Sequence, residues 1–125
     1  MLKSLLIVGA GSFVGGALRY MLSLFMKGAC GTSFPWATLA VNLAGCLLIG
    51  VVYALFSRYA STSHALCLLL TTGLCGGFTT FSAFAYEGLA MLQGGNVWAF
   101  AVYALASVVA GVAMVALGYW TVRLF

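Results

Sequence analysis

A chain built from long apolar runs, separated only by a few polar residues, has few folds open to it. Four such runs divide this sequence, at about residues 5–26, 36–56, 65–93 and 97–120. A helix that crosses a bilayer needs roughly 20 apolar residues. In lipid, only helices and closed barrels satisfy every backbone N–H and C=O internally, and runs of this length point to helices. Hydrophobic residues make up 65% of the 125 and charged residues only 5%, against about 25% charged in a soluble domain. The expected fold is an all-α integral membrane protein. It has four transmembrane helices in a single domain, residues 1–125, with almost nothing left over for a soluble unit. The run after Lys3 continues through Arg19 to about Met26 without a small-residue cleavage site. It reads as a retained first span rather than a signal peptide.

The third run is nearly thirty residues long, more than a straight crossing needs. At its centre lies Gly73–Phe84, GLCGGFTTFSAF. Gly-Gly is poor helix material and Thr-Thr adds stiff β-branching. The spacing predicts two half-helices joined by an irregular stretch near the bilayer midplane, where discontinuous helices recurrently build ion sites. Irregular backbone persists in a membrane only where protein or a water-filled cavity surrounds it. The competing reading is a small-residue packing seam. Unpaired carbonyls at an interruption suit hard cations. Phenylalanine suits the opposite charge, because its ring edge carries the positive end of the quadrupole. Phe81 and Phe84 stand at i, i+3 and share a face if helix resumes after Thr80.

Elsewhere, polar residues are sparse enough to weigh singly. Gly9, Gly11, Gly15 and Gly16 give the first span small-residue spacing for close packing. Arg19, six or seven residues from that span's end, either snorkels or faces a polar cavity. Pro35 is placed to open the second helix. Thr38 and Asn42 share a helix face, with Gly45 and Cys46 a turn further on. Asn42 is either an interhelical hydrogen-bonding group or a vestibule ligand. His64, at a span end, reads as interfacial rather than as a proton carrier. Glu87 is the one acid in the chain. It is neutralised by Arg19 or by a partner chain, or it reaches the interface. Gly94, Gly95 and Asn96 form a tight turn. Tyr103, Ser107 and Gly111 make one weakly polar face of the last span, with Trp98 and Trp120 at its two interfaces.

Composition removes whole classes of chemistry. One acid and one histidine leave no hydrolytic triad and no zinc set. Cys30, Cys46, Cys67 and Cys75 show no CxxC spacing, and the glycines of the first span fail the dinucleotide pattern. No enzyme is expected, and transport is left. The five basic residues are scattered, so neither nucleic acid nor a lipid-surface patch is indicated. Four helices put both termini on one side, with Lys3, Arg58 and Arg123. Arg19 and Lys27 lie on the other. Three against two is almost no positive-inside bias and permits insertion in both orientations. Four short helices also enclose an aqueous path poorly. Both points favour a dimer, with oppositely oriented chains as one arrangement.

GLCGGFTTFSAF in the third span, VNLAG around Asn42 and GGALRY around Arg19 together resemble the Fluc/CrcB fluoride channels, over essentially the whole chain. The resemblance implies an antiparallel, dual-topology homodimer with two fluoride pores in a bacterial inner membrane. It implies passive export: hydrogen fluoride enters, dissociates, and the trapped anion leaves down its gradient, which confers fluoride resistance. It also implies a structural, non-transported sodium ion on the dimer axis, held by the backbone carbonyls of Gly76 and Thr79. Phe81 and Phe84 would line the pore, with Asn42 in the vestibule. Ser107 and Tyr103 resemble pore-side positions of the fourth span. The family pattern usually reads TTFSTF. Here Ala83 replaces the second Thr, so a polar track beside the rings would rest on Ser82 and Thr80. Partners implied are fluoride, membrane lipid and a second copy. The alternatives are a small dual-topology proton-coupled multidrug exporter and a structural subunit without transport. The exporter needs an acid in the first span, and this chain has none there.

Overall fold

The computed structural model describes residues 1–29, 31, 33–59, 61 and 63–125. Among them there is no strand, and four helical spans are long and apolar enough to cross a membrane. This is a multi-pass, all-α membrane protein. The first span is Leu2–Ala29 and the second Trp36–Arg58. The third runs from His64 to Gln93 in pieces, and the fourth is Val97–Leu124. The first, second and fourth spans extend beyond their strictly apolar runs by up to a turn or so, because Lys27, Arg58 and Arg123 continue helical geometry into the final turns, where a cation faces the helix dipole favourably. The fourth helix, at 28 residues, is about 42 Å long at 1.5 Å per residue. That exceeds a hydrocarbon core of about 30 Å, and its exposed Trp98 and Trp120 stand near opposite ends. Pro35 directly precedes the second helix. Cys30 and Thr62 lie outside the described residues.

Packing inverts the soluble pattern. The interior holds small residues and a few larger ones, with Val41 and Tyr103 fully buried, while Phe13, Leu18, Met21, Leu105 and Val109 point outward. Apolar side chains gain nothing by leaving lipid, so helices associate through close backbone approach and hydrogen bonds. Two glycine seams do this. The first span packs on the third through Gly11 and Gly15, where an added Cβ would meet the carbonyl oxygens of Leu69 and Leu74. From the other side, Gly77 faces Ser12, and the Ser12 hydroxyl donates to the Gly73 carbonyl at 3.4 Å. The second span packs on the fourth through Gly50 and Gly118, each against a carbonyl of the opposite helix. Arg58 ties their ends together by donating to the carbonyls of Val122 at 2.9 Å and Phe125 at 3.3 Å, a charged cap on orphan groups.

The third span departs from expectation in its first half. Gly76 and Gly77 do not break it. Gly76–Phe78 is α-helical, with Gly76 at φ −63°, ψ −38°. At Gly77 close packing on Ser12 outweighs weak propensity, so the seam reading holds there, while Gly76 stays exposed. Just before them, Leu69–Cys75 is a π-helical turn, a feature often found at functional sites. The Thr71 hydroxyl donates back to the Cys67 carbonyl at 2.8 Å, a bond that tends to bend helices.

These contacts give opposite expectations for two glycines of the first seam region. In Gly77→Ala the new Cβ would sit 2.6 Å from the Ser12 carbonyl oxygen. Overpacking of roughly 1–3 kcal/mol should exceed a helix-propensity gain of about 1 kcal/mol. Gly9, with nothing within 4 Å of its added Cβ, should accept alanine with unchanged or higher stability. Thermal unfolding of the purified variants in detergent compares the two.

Candidate functional site

Helical geometry stops at Phe78 and starts again at Phe81. Between them Thr79 (φ −82°, ψ 158°) and Thr80 (φ −150°, ψ 113°) are extended, a conformation that β-branched residues favour. Several of the polar groups released by this two-residue interruption can be followed. The Thr79 N–H still reaches the Cys75 carbonyl at 3.0 Å, and the Thr79 hydroxyl donates to the same oxygen at 3.0 Å. The Thr80 N–H donates to Asn42 Oδ1 at 2.8 Å, and Asn42 Nδ2 donates to the Thr80 carbonyl at 3.1 Å. One side-chain amide thus pairs with both backbone groups of Thr80, as a neighbouring strand would. Thr80 then caps the second half-helix, its hydroxyl accepting from the Ala83 N–H at 3.2 Å. Arg19 Nε donates to the Gly77 carbonyl at 3.3 Å. One guanidinium N–H thus serves backbone freed by the interruption.

Around this point lies a cavity of about 390 Å³. Asn42, Gly76, Thr79, Thr80, Phe81, Phe84 and Ser107 are among the residues on its wall. The ring centroids of Phe81 and Phe84 are 5.6 Å apart with planes tilted by 40°. Phe81 is 79% exposed on this single chain, a large ring left without cover. The Ser107 hydroxyl oxygen is buried without a hydrogen-bond partner, an uncommon state that calls for a ligand or water. Asn42 keeps one amide hydrogen beyond its bonds to Thr80. The Thr80 and Ser82 hydroxyls lie 3.3 Å apart beside the rings. Room for Thr79 comes from Gly45 on the second span, where any side chain would collide with it.

Glu87 and Tyr103 stand apart from that wall. Glu87 does not pair with Arg19. Its two carboxylate oxygens accept from the Thr38 hydroxyl at 2.6 Å and the Tyr103 hydroxyl at 2.8 Å. Arg19 lies at the other side of the interruption, occupied by Gly77. Tyr103, expected beside Ser107 on a polar face, is fully buried behind the cavity. Its ring packs on Phe84 at 4.9 Å and on Phe34 at 5.4 Å, so it backs a cavity ring rather than facing the space. Glu87 also lines a separate space of about 320 Å³ with Lys27, Ser23 and Thr38.

The donor set available to a metal is narrow. Among the described residues, no group of three or more His, Cys, Asp or Glu could hold one, and Cys46, Cys67 and Cys75 are free thiols. Backbone oxygens are the alternative. Gly76 O loses its helical donor because the Thr80 N–H goes to Asn42. Thr79 O loses its own because the Ala83 N–H goes to the Thr80 hydroxyl. No hydrogen bond among the described residues reaches either oxygen. Both residues border the cavity. Two unsatisfied carbonyls fit a hard cation in kind, and two oxygens from one chain alone are too few to surround it.

Residues 6–119 match the family described as CrcB-like protein, Camphor Resistance (CrcB). The chain belongs to this family. The matched span includes every residue of the cavity wall. A protein of Phocaeicola vulgatus named fluoride-specific ion channel FluC is 47% identical over 119 residues, covering 95% of this chain and 98% of that protein. One of the same name from Chlorobium phaeobacteroides is 44% identical and covers 98% of this chain and 94% of its own length. Another, from Thermus thermophilus, is 44% identical over 91% of this chain and 89% of its own.

Sequence reasoning placed Thr38 on the Asn42 face but not against Glu87, and it gave Phe34 no part. Their meeting depends on how three helices cross, which local spacing does not encode. The Glu87 cluster makes a measurable claim. Removing one donor in Tyr103→Phe should cost about 1–3 kcal/mol, since it leaves a carboxylate oxygen short of a partner. A double-mutant cycle of Tyr103→Phe with Glu87→Gln, read by thermal unfolding, should give a coupling of at least about 0.5 kcal/mol. Simple additivity would mean that the hydrogen bond carries nothing.

Proposed function

We propose that this protein is a fluoride-selective channel that lets fluoride leave the cell passively, down its electrochemical gradient, and so lowers cytoplasmic fluoride. The observation that carries the reading is its near-full-length likeness to proteins named fluoride-specific ion channels. The cavity gives that reading a physical route. Phe81 and Phe84 offer positive ring edges to a small anion. The spare Asn42 N–H is a donor on the same wall, with the unpartnered Ser107 hydroxyl buried just behind it. These contacts are few and individually weak, which lets an ion enter and also leave. The Thr80 and Ser82 hydroxyls continue the polar side of the path. Arg19 and Glu87 act in the scaffold, through Gly77 on one side and through Tyr103, which backs Phe84, on the other.

The functional unit is an antiparallel homodimer in the bacterial inner membrane, with the interruption near the bilayer midplane. Three features support a second copy: the uncovered Phe81 ring, the two free carbonyls of Gly76 and Thr79, and the near-absence of charge bias between the two sides. A structural sodium ion, not transported, would be held by those carbonyls from both chains. When bound, it supplies positive charge that joins the two interruptions.

Reconstitution into liposomes tests the channel. Rapid fluoride efflux with chloride retained is expected. Chloride flux at a similar rate, or no flux unless a proton gradient is applied, would favour the exporter reading instead. Phe81→Ile and Phe84→Ile should each slow fluoride efflux by about tenfold or more, because an aromatic contact of roughly 1.4 kcal/mol at the barrier corresponds to that factor. Size-exclusion chromatography should show the variants still assembled. Unchanged flux would remove the ring edge from the mechanism at that position.

A further inference from the structure

We propose that two side-chain oxygens, Asn42 Oδ1 and Thr80 Oγ1, create the cation site by taking the backbone donors that would otherwise consume its carbonyls. The inference rests on the sodium reading of Gly76 and Thr79 given above. In a continuous α-helix each N–H donates to the carbonyl four residues earlier. The Thr80 N–H would therefore close on Gly76 O, and the Ala83 N–H on Thr79 O. Here the first goes to Asn42 Oδ1 at 2.8 Å and the second to the Thr80 hydroxyl at 3.2 Å. The two diverted donors are the helical partners of Gly76 O and Thr79 O. Nothing else among the described residues competes for them.

The alternative state is close at hand. The backbone on both sides is already helical, and only Thr79 and Thr80 are extended. Without Asn42, the Thr80 N–H faces a membrane interior with a single ready acceptor, Gly76 O, and an unpaired amide there is costly. The third span would close into one helix, and its carbonyls would turn inward to the ladder. Asn42 and Thr80 are thus positioning residues for a cation that neither side chain needs to touch. Both also border the anion cavity, so the same two groups shape both ion sites.

The test is the sodium-dependent rise in melting temperature of the full-length, detergent-purified dimer, measured in sodium chloride against N-methylglucamine chloride. Asn42→Leu keeps size and loses the acceptor; Asn42→Asp keeps an acceptor oxygen. Thr80→Val keeps shape and loses the hydroxyl; Thr80→Ser keeps it. The wild type should show a rise, the Leu and Val variants should lose at least half of it, and the Asp and Ser variants should retain most of it. Full retention in Asn42→Leu and Thr80→Val overturns the inference while leaving the sodium reading intact. If a Leu or Val variant does not assemble, the conservative variants decide, and loss of the response in an assembled Asn42→Asp or Thr80→Ser overturns it. Absence of any sodium response in the wild type removes the cation reading and this inference together, whatever the fluoride efflux shows.

Discussion

The pairing of the Asn42 amide with the backbone of Thr80 is the contact on which the rest of the site depends. A membrane interior offers no water to a released N–H or C=O. Two extended residues in the middle of a spanning helix therefore need replacement partners, and Asn42 supplies two at once. Thr80 supplies a third through its own hydroxyl, and Arg19 a fourth at Gly77. Gly76 O and Thr79 O are among the carbonyls left without a hydrogen bond, next to a cavity bordered by phenylalanine rings.

That arrangement needs helices in very close contact. Gly11 and Gly15 let the first span approach the third closely enough for Arg19 to reach Gly77, and Gly45 leaves the space that Thr79 occupies. The glycine seams are therefore part of the site's construction as well as of the fold's. The large outward side chains do little for cohesion among helices, because lipid solvates them as well as protein does.

A carboxylate at membrane depth is costly unless it is well partnered. Glu87 meets this condition with two hydroxyl donors from two other elements, Thr38 and Tyr103. The result is a polar clasp behind the cavity. Through Tyr103 it bears on Phe84, and through Thr38 it fixes the start of the second helix relative to the second half of the third. Charge is used here to orient an aromatic wall, at a distance from the open space.

The number of spans, their approximate ends and the presence of an interruption within Gly73–Phe84 were all legible in the residues, because bilayer thickness and backbone satisfaction act on local composition. The pattern GGFTTFS with its flanking motifs also led to the family. The residues did not locate the interruption correctly: Gly76 and Gly77 looked like breakers, yet both are helical, Gly77 packed on Ser12, and the β-branched Thr79 and Thr80 carry the extended backbone. Nor could they show that Asn42 would take the amide of Thr80, or that Glu87 would choose Tyr103 over Arg19. Those choices lie between residues 16 to 58 positions apart. They are decided by which helices cross and how closely, and so by tertiary packing alone. Sequence by itself therefore determined the membrane fold and the stretch that holds the interruption. The tertiary structure decided which backbone groups in that region are satisfied and which are left free.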